Sequence, residues 1–475
     1  MSGMVWTSKD LTMATGGQCT GTWQVSGISI DSRTVQPGDL FVAIKGDTLD
    51  GHDHAASALA KGAVAVLIDH RPTGLAADAP SLLVPDTLAA LVALAKAARE
   101  RCTGNLIAVT GSVGKTTTKE MLQHMASAQG RTHATYGNLN NHIGLPLTLA
   151  RLPQDTKYGV FEIGMNHAGE IEPLARLLRA HIALITTIST THIENFADGQ
   201  LGIARAKSEI FAGLSGPAIA ILPRASEFYT FAKDRALAAG AKRVLSFGTE
   251  PEADAQLLQC VLHDQSTEVT ARIGSRTLTY TVPLPGEHMA MNSVAALLAL
   301  AQTGLDIERA AQSLVSFAPI KGRGVRKQFG GVTVIDECYN ASPLSMVAAI
   351  KVLGHSEAKG RRLAALGDML ELGTLGPTAH AELAASLCAA KVDQVYCCGP
   401  LMRHLWQALP ESMKGAWAPD AKTLAPLVAD AVQTGDILLV KGSRGQQIDI
   451  KGVMSPSMAV VIASLEAREA GSHAA

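Results

Sequence analysis

The sequence predicts an α/β protein of three domains: a small N-terminal α/β domain, a central parallel-sheet domain and a C-terminal Rossmann-like domain. Three observations predict it. The chain has 475 residues, about three times the common domain size. Short apolar runs alternate with helical segments along most of its length, the signature of parallel sheets covered on both faces. A glycine-rich turn, Gly111-Ser112-Val113-Gly114-Lys115-Thr116-Thr117, joins one such run to the helix that follows.

In chain order, residues 27–32 and 40–44 read as strands, 54–61 as a helix and 64–68 as a further strand. An alanine-rich helix runs from Asp86, placed as its N-cap, to Arg101 and leads to a join at Gly104. Residues 106–110, 158–163, 183–188 and 218–222 are apolar runs, each followed by a helical segment. Between Glu268 and Val282 the period drops to two around Gly274-Ser275, which predicts an antiparallel excursion. A helix beginning near Asn292 closes the middle unit. Beyond Lys321-Gly322-Arg323-Gly324, the runs 332–335, 363–366, 395–398 and 437–440 alternate with helices as a second doubly wound sheet. Ser342-Pro343 starts one of those helices, serine as cap and proline in the first turn. Residues after about Ala467 read as a frayed tail. The expected domains are 1–85, 86–318 and 319–475.

Composition excludes several functions. Hydrophobic residues are 47% of the chain, enough for a core in each domain and against disorder. Lys+Arg 41 against Asp+Glu 42 leaves a net charge of −1, which argues against a nucleic-acid or anionic-membrane partner. Small phosphorylated ligands remain open, because they need only a local pocket. Seven scattered cysteines without a C-x-x-C pair fit neither a disulfide framework nor a thiolate zinc site. Residues 1–17 lack the basic start and apolar run of a signal peptide. Residues 288–305 include His, Asn, Ser and Gln, and read as a buried helix and not a membrane span. A cytoplasmic monomer is the expectation.

The glycine-rich turn carries the strongest chemistry. Its glycines let successive N–H groups curl toward phosphate oxygens, beside the positive end of the helix holding Met121, Leu122 and Met125. This makes the central unit a P-loop, ATPase-type domain. Lys115 would reach the β- and γ-phosphates, and the Thr116 hydroxyl would ligate Mg²⁺. The strict pattern has glycine where this chain has Val109, so the loop is a shortened variant. Glu162 and His192 follow neighbouring runs, whose carboxyl ends face one crevice in an open parallel sheet. There they could hold a divalent cation against a triphosphate; equally, Glu162 could pair with a loop lysine and His192 be structural.

Thr110 through Thr117, Gly137-Asn138-Leu139-Asn140-Asn141-His142-Ile143-Gly144 and Phe161-Glu162-Ile163-Gly164-Met165-Asn166-His167 together resemble the Mur ligase family. In the family's order follow Thr191-His192-Ile193-Glu194-Asn195-Phe196, Ala206-Lys207-Ser208-Glu209, Gly286-Glu287-His288 through Asn292, Gly322-Arg323-Gly324 and Asp336-Glu337-Cys338-Tyr339-Asn340. The Gly137 segment, Met165-Asn166-His167 and Leu366-Gly367-Asp368-Met369-Leu370-Glu371-Leu372-Gly373 resemble the member that adds D-alanyl-D-alanine. The Asp-Asn-Pro-Arg segment of the diaminopimelate- or lysine-adding member is absent.

The resemblance implies an ATP-dependent peptide ligase of peptidoglycan precursor synthesis, joining UDP-N-acetylmuramoyl-tripeptide to D-alanyl-D-alanine through an acyl phosphate. It implies that Gly111, Ser112, Val113, Gly114, Lys115, Thr116 and Thr117 hold the phosphates, and that Thr116 and Glu162 bind one Mg²⁺. His192 and a carbamylated Lys207 would serve a second ion. Asn292 would meet the adenine and Arg323 the phosphates, while Asp336, Tyr339 and Asn340 would reach the nucleotide from the third domain. Asp31-Ser32-Arg33, Lys45-Gly46 and His52 would belong to the domain seating the UDP end. Asn138, Asn140 and Asn141 would join the muramoyl-peptide pocket, although asparagine and glycine also suit a plain turn. Lys207 could instead simply pair with its neighbours. Lys441-Gly442-Ser443-Arg444 follows a strand end and is either an anion site or a basic surface turn. Cys338 reads as packing. Two rivals stand beside the ligase. A folylpolyglutamate-type enzyme is opposed by the N-terminal domain with Asp31-Ser32-Arg33, and a nucleotide-regulated binding module would release no phosphate in response to D-alanyl-D-alanine.

Overall fold

The computed structural model describes residues 6–46, 49–318, 320–443 and 457–473. The first sheet has five strands in the order Gln18–Thr20, Ser81–Leu83, Ala65–Ile68, Asp39–Val42 and Gly27–Ser29, parallel except for the first pair. The helix Thr87–Arg101 starts as expected, with Asp86 Oδ1 accepting from Ala89 N at 2.8 Å. Its buried Leu91, Leu94, Ala95 and Ala98 pack against Ser8–Thr15 on one side and Gly144–Ala150 on the other. One face of the first sheet therefore shares its core with the middle domain, while Phe41, Val66 and Ile68 on the other face pack with Ala55 and Ala58 in a small core of the first domain's own. A single apolar cluster runs from Trp6, Ile28 and Leu67 through this helix to Phe161 and Phe211. Trp6 Nε1 donates to Ala150 O at 3.1 Å and Arg151 Nε to Ile28 O at 2.6 Å across the same seam.

The middle sheet has nine strands: Arg276–Val282, Thr267–Ile273, Ala255–Leu262, Arg243–Gly248, Ile219–Pro223, Ile182–Ile185, Asn105–Thr110, Tyr158–Glu162 and Thr132–Ala134. All pairings are parallel except those of the first three strands with one another, the excursion read from the period-two stretch. The strand Asn105–Thr110 shows why the parallel runs are continuously apolar. Leu106 and Ala108 enter one core cluster, Ile107 and Val109 the other. The run 288–305 is indeed a buried helix, Glu287–Ala301, entered five residues ahead of Asn292 through Gly286 at φ 132°. It does not close the domain: Ile307–Ser313 follows, with Asp306 as its N-cap.

The third sheet runs Val325–Phe329, Val332–Glu337, Ile437–Lys441, Arg362–Gly367, Gln394–Cys398 and Lys414–Ala418, with only the first pair antiparallel. Ser342 and Ser345 form the capping box that starts Pro343–His355. The expected frayed tail is a helix, Ala459–His473. Val461, Ile462 and Leu465 are buried in the third-domain core. The stretch beyond Ala467 is tied down by polar contacts, with Gly330 N donating to Glu469 Oε1 at 2.9 Å and Arg468 Nη1 reaching Ala429 O. Among the described residues no helix is long and apolar enough to cross a membrane.

Leu465→Ala should therefore cost about 2–5 kcal/mol, the range for emptying a buried leucine site. Urea unfolding followed by Trp406 and Trp417 fluorescence measures it, and a loss near zero would mean that the helix adds nothing to the third-domain core.

Candidate active site

An open cleft of about 1630 Å³ separates the middle and third domains, with the glycine-rich loop on one wall. The loop is shaped by its neighbour strand's end. Ser112 N donates to Thr187 O at 2.8 Å and Val113 N to Thr187 Oγ1 at 2.8 Å, while Thr186 Oγ1 donates to Val113 O at 2.6 Å. Ser112 Oγ accepts from Ser189 N at 2.9 Å. Two glycines permit the path. Gly111 has φ 151°, and a Cβ there would lie 2.0 Å from Thr186 Oγ1; Gly114 has φ 85°, and a Cβ would lie 2.7 Å from Asn292 Oδ1. The helix Lys115–Ser127 begins at Gly114 with no side-chain cap, so its first-turn N–H groups face the cleft free to meet an anion. Lys115 Nζ folds back onto Gly111 O at 2.7 Å. Burial lowers its pKa; nearby Glu162 opposes the shift and Arg323 adds to it.

The candidate cation ligands line the same wall, apart from Lys207. Glu162 is 2% exposed. Its Oε1 accepts from Asn140 Nδ2 at 2.7 Å, while Oε2 is buried without a partner. A buried carboxylate oxygen left unpaired suits a hard cation. His192 lines the cleft at φ 66°, its Nδ1 against the Glu371 carboxylate of the third domain. That contact with His192 holds the Glu371 carboxyl below its ordinary pKa, against the effect of burial. Lys207 lies behind the cleft wall on Gly199–Ser208, only 1% exposed. Burial pushes its pKa well down, and the charge of nearby Lys115 pushes further.

The third domain supplies the opposite wall. Arg323 Nη2 donates to Thr116 Oγ1 at 3.0 Å, its guanidinium stacks 4.1 Å over the Tyr339 ring, and its buried Nε has no partner. Tyr339 and Asn340 line the cleft. Asp336 does not: it is buried, with Lys327 Nζ at 3.4 Å and Cys338 N donating to it at 3.2 Å. Lys441 is buried and donates to Asn340 O at 2.9 Å and Glu337 Oε2 at 3.2 Å, while Arg444 lies outside the described residues. Asn138, Asn140 and Asn141 all reach the cleft. Asn141 also heads a helix, its Oδ1 accepting from Gly144 N at 2.8 Å, so the turn reading and the pocket reading coexist there.

The first-domain residues stand apart from this cleft. Arg33 is exposed and clamps Asp31 through Nε and Nη2 at 2.9 and 2.7 Å, which holds the Asp31 carboxyl down to about 2. Ser32 O accepts from Lys61 Nζ at 2.9 Å. Lys45 bridges to Asp50 through the backbone. His52 is buried with both ring nitrogens engaged, Nδ1 with Asp50 Oδ1 at 2.6 Å and Nε2 accepting from Asp69 N at 3.2 Å. Sequence reasoning missed Thr186, Thr187 and Ser189, which shape the loop, and gave Glu371 no role. The first three sit at or just beyond a strand's carboxyl end, the signal that did find His192.

Fold and cleft together define a phosphate-binding α/β enzyme whose site is divided between two domains. Comparison with known families matches the Mur ligase family catalytic domain at residues 24–99, the Mur ligase middle domain at 109–300 and the Mur ligase glutamate ligase domain at 322–444. The chain belongs to the Mur ligase family. It is similar to the UDP-N-acetylmuramoyl-tripeptide–D-alanyl-D-alanine ligase of Rickettsia prowazekii, 34% identical over 94% of this chain and 98% of that one. The Bacillus subtilis ligase of the same name is 36% identical over 90% and 92%. Among solved structures, MurF from Acinetobacter baumannii superposes with a TM-score of 0.83 at 30% identity, covering 98% of this chain and 99% of that chain. The MurF ligase of Thermotoga maritima in complex with ADP gives 0.74 at 26%, over 93% and 98%.

Gly114→Ala forces an alanine into left-handed backbone against the Asn292 amide. It should weaken ATP binding at least about tenfold in a calorimetric titration, the equivalent of about 1.4 kcal/mol, while the melting temperature falls by only a few degrees. Unchanged affinity would show that this loop does not carry the phosphates.

Proposed function

We propose that this chain is an ATP-dependent ligase of cytoplasmic peptidoglycan precursor synthesis. It joins D-alanyl-D-alanine to UDP-N-acetylmuramoyl-tripeptide, giving the pentapeptide, ADP and phosphate. The observation that carries the reading is the two-walled cleft, with an uncapped phosphate loop facing a third-domain wall that includes Glu371 and Leu372 of the Leu366–Gly373 stretch. The full-length relatives named for this reaction support it.

In this reading the tripeptide carboxylate attacks the γ-phosphate and releases ADP. The amine of the dipeptide then attacks the acyl phosphate, and a tetrahedral intermediate collapses with loss of phosphate. Lys115 and the first-turn N–H groups hold the charge of the phosphates in a fixed, dry arrangement. Arg323 adds a positive charge from the other domain, so the arrangement is complete only when the third domain is docked. Docking also keeps water from a hydrolysable acyl phosphate. Bound Mg²⁺ would neutralise charge as two anions approach. Thr116 and Glu162, with its unpaired Oε2, would hold one ion; His192 and Lys207 would serve the second. Lys207 fits that role only after carbamylation, in which its neutral amine adds CO₂, loses a proton and becomes a carboxylate-bearing ligand. Burial and Lys115 favour the neutral amine that this step needs. Asn292 is assigned to the adenine, and Tyr339 and Asn340 to the nucleotide, with Asp336 buried behind them and not in the cleft. Asn138, Asn140 and Asn141 are assigned to the muramoyl peptide. Ser32, Arg33, Lys45 and His52, in the 1–85 domain, are assigned to the UDP end.

With UDP-muramoyl-tripeptide, ATP, Mg²⁺ and a panel of amino acids and dipeptides, phosphate release should require D-alanyl-D-alanine and yield the pentapeptide. Release without any acceptor, or with another acceptor, overturns the substrate assignment. Lys115→Ala should abolish ligation while leaving the melting profile intact, and near-normal turnover at saturating ATP would remove Lys115 from the phosphate site.

Lys207→Ala should be nearly inactive, and acetate or formate should partly restore turnover by supplying the missing carboxylate. An active variant, or an inactive one that small carboxylates leave unchanged, speaks against a carbamylated Lys207.

A further inference from the structure

Four non-glycine residues among those described adopt positive φ: Arg179, His192, Glu371 and Lys391. Two of them, His192 at 66° and Glu371 at 62°, touch each other across the junction of the middle and third domains. Left-handed backbone at a residue with a side chain is uncommon and persists where the surroundings impose it. Here both sides are held. The Glu371 stretch is anchored within its own domain: Asp368 Oδ1 accepts from Met402 N at 2.8 Å, Met369 N donates to His380 Nε2 at 2.9 Å, and Leu370 N to Ser443 Oγ at 3.1 Å. The His192 turn is anchored to the phosphate loop through Ser189 N and Ser112 Oγ. Between the two anchors, Glu194 N points to Glu371 O at 3.4 Å, and a Cβ on Gly373 would lie 3.2 Å from Glu194 Cβ. The segments thus meet backbone to backbone, with the Glu371 carboxylate on His192 Nδ1.

We propose that Glu371 is a positioning residue that seats the third domain on the His192 turn and fixes the imidazole with its proton on Nδ1. The Nε2 lone pair is then the one available to a ligand, as in the carboxylate–histidine pairs that orient metal-binding imidazoles. Arrival of the third domain and readiness of His192 become one event. The proposal rests on the reading of His192 as a cation ligand.

Glycine and glutamine at position 371 separate the possibilities. Glu371→Gly adopts the same backbone freely and removes only the carboxylate, so a merely structural role predicts an unimpaired enzyme. We expect its melting temperature to be unchanged or raised, with kcat down about 10–100-fold, the usual effect of losing an outer partner of a ligand histidine. KM for ATP should move much less, and the Mg²⁺ concentration for half-maximal rate should rise. Small-angle scattering with a non-hydrolysable ATP analogue and UDP-muramoyl-tripeptide should show a more open particle than the parent chain. Glu371→Gln keeps an acceptor oxygen at the same reach and should recover most of the closure and part of the rate. In His192→Ala, adding Glu371→Gly should cost little more. A Glu371→Gly enzyme with parental rate and closure, beside an inactive His192→Ala, overturns the positioning role alone. A fully active His192→Ala overturns the ligand reading beneath it.

Discussion

The segment just beyond the strand Ile182–Ile185, through the hydroxyls of Thr186 and Thr187 and the backbone of Thr187 and Ser189, is the constraint on which the site depends. Thr186, Thr187 and Ser189 take up the loop's N–H and C=O groups at 113, the N–H at 112 and the Ser112 hydroxyl, so the loop cannot satisfy itself by closing into a turn. Its next N–H groups, at the uncapped start of Lys115–Ser127, are left without internal partners. Helix starts left unpaired in this way are anion sites. The parallel pairing of Asn105–Thr110 with Ile182–Ile185 places these groups. Sheet register therefore determines where phosphate can bind.

Electrostatics sharpen the same spot. Lys115, Lys207 and Arg323 gather there near the buried carboxylate of Glu162, and burial lowers both lysines. In a chain with a net charge of −1 this local excess of cations has no counterpart in the overall composition. A triphosphate would relieve the repulsion between them. On the proposed reading, a carbamate on Lys207 would reverse the sign of one member and make room for divalent metal as well.

Much of this was legible in the sequence, and what was not has physical causes. The strands that bear the site, at 105–110, 158–162 and 182–185, are buried on both faces and read as continuous apolar runs. The edge strand Val325–Phe329 did not, since it carries Arg326, Lys327 and Gln328, and neither did Ala255–Leu262 inside the middle sheet, whose pairing shifts register between Leu257 and Gln259 and so breaks alternation. Helix starts were legible where a side chain caps them, as at Asp86 and Ser342, and misplaced where glycine opens the helix, as at Gly286. The end of the Ala459–His473 helix, beyond about Ala467, read as a tail because its polar residues find partners only in three dimensions. Glu371 escaped notice for a similar reason. Its partner His192 is 179 positions away, and nothing local distinguishes a carboxylate that will meet an imidazole from one that meets water.

The two domain junctions differ in kind, and the difference suits the chemistry. The first domain joins the middle one through the apolar helix Thr87–Arg101, whose side chains belong to one continuous core. Separating them would expose that core, so they move together. The third domain meets the middle one largely through charged and polar groups: Arg323 on Thr116, Arg326 Nη1 on Asp264 Oδ1 at 2.9 Å, and Glu371 on His192. Such contacts exchange for water at modest cost, so domain motion is the natural expectation there. A ligase that builds a reactive acyl phosphate needs one junction that opens to admit three substrates and closes before the phosphoryl group moves. On the proposed assignment of the UDP end to the first domain, the other would hold the long nucleotide-linked substrate steady while that happens. Apolar packing on one side of the middle domain and polar packing on the other divide the two tasks between the junctions.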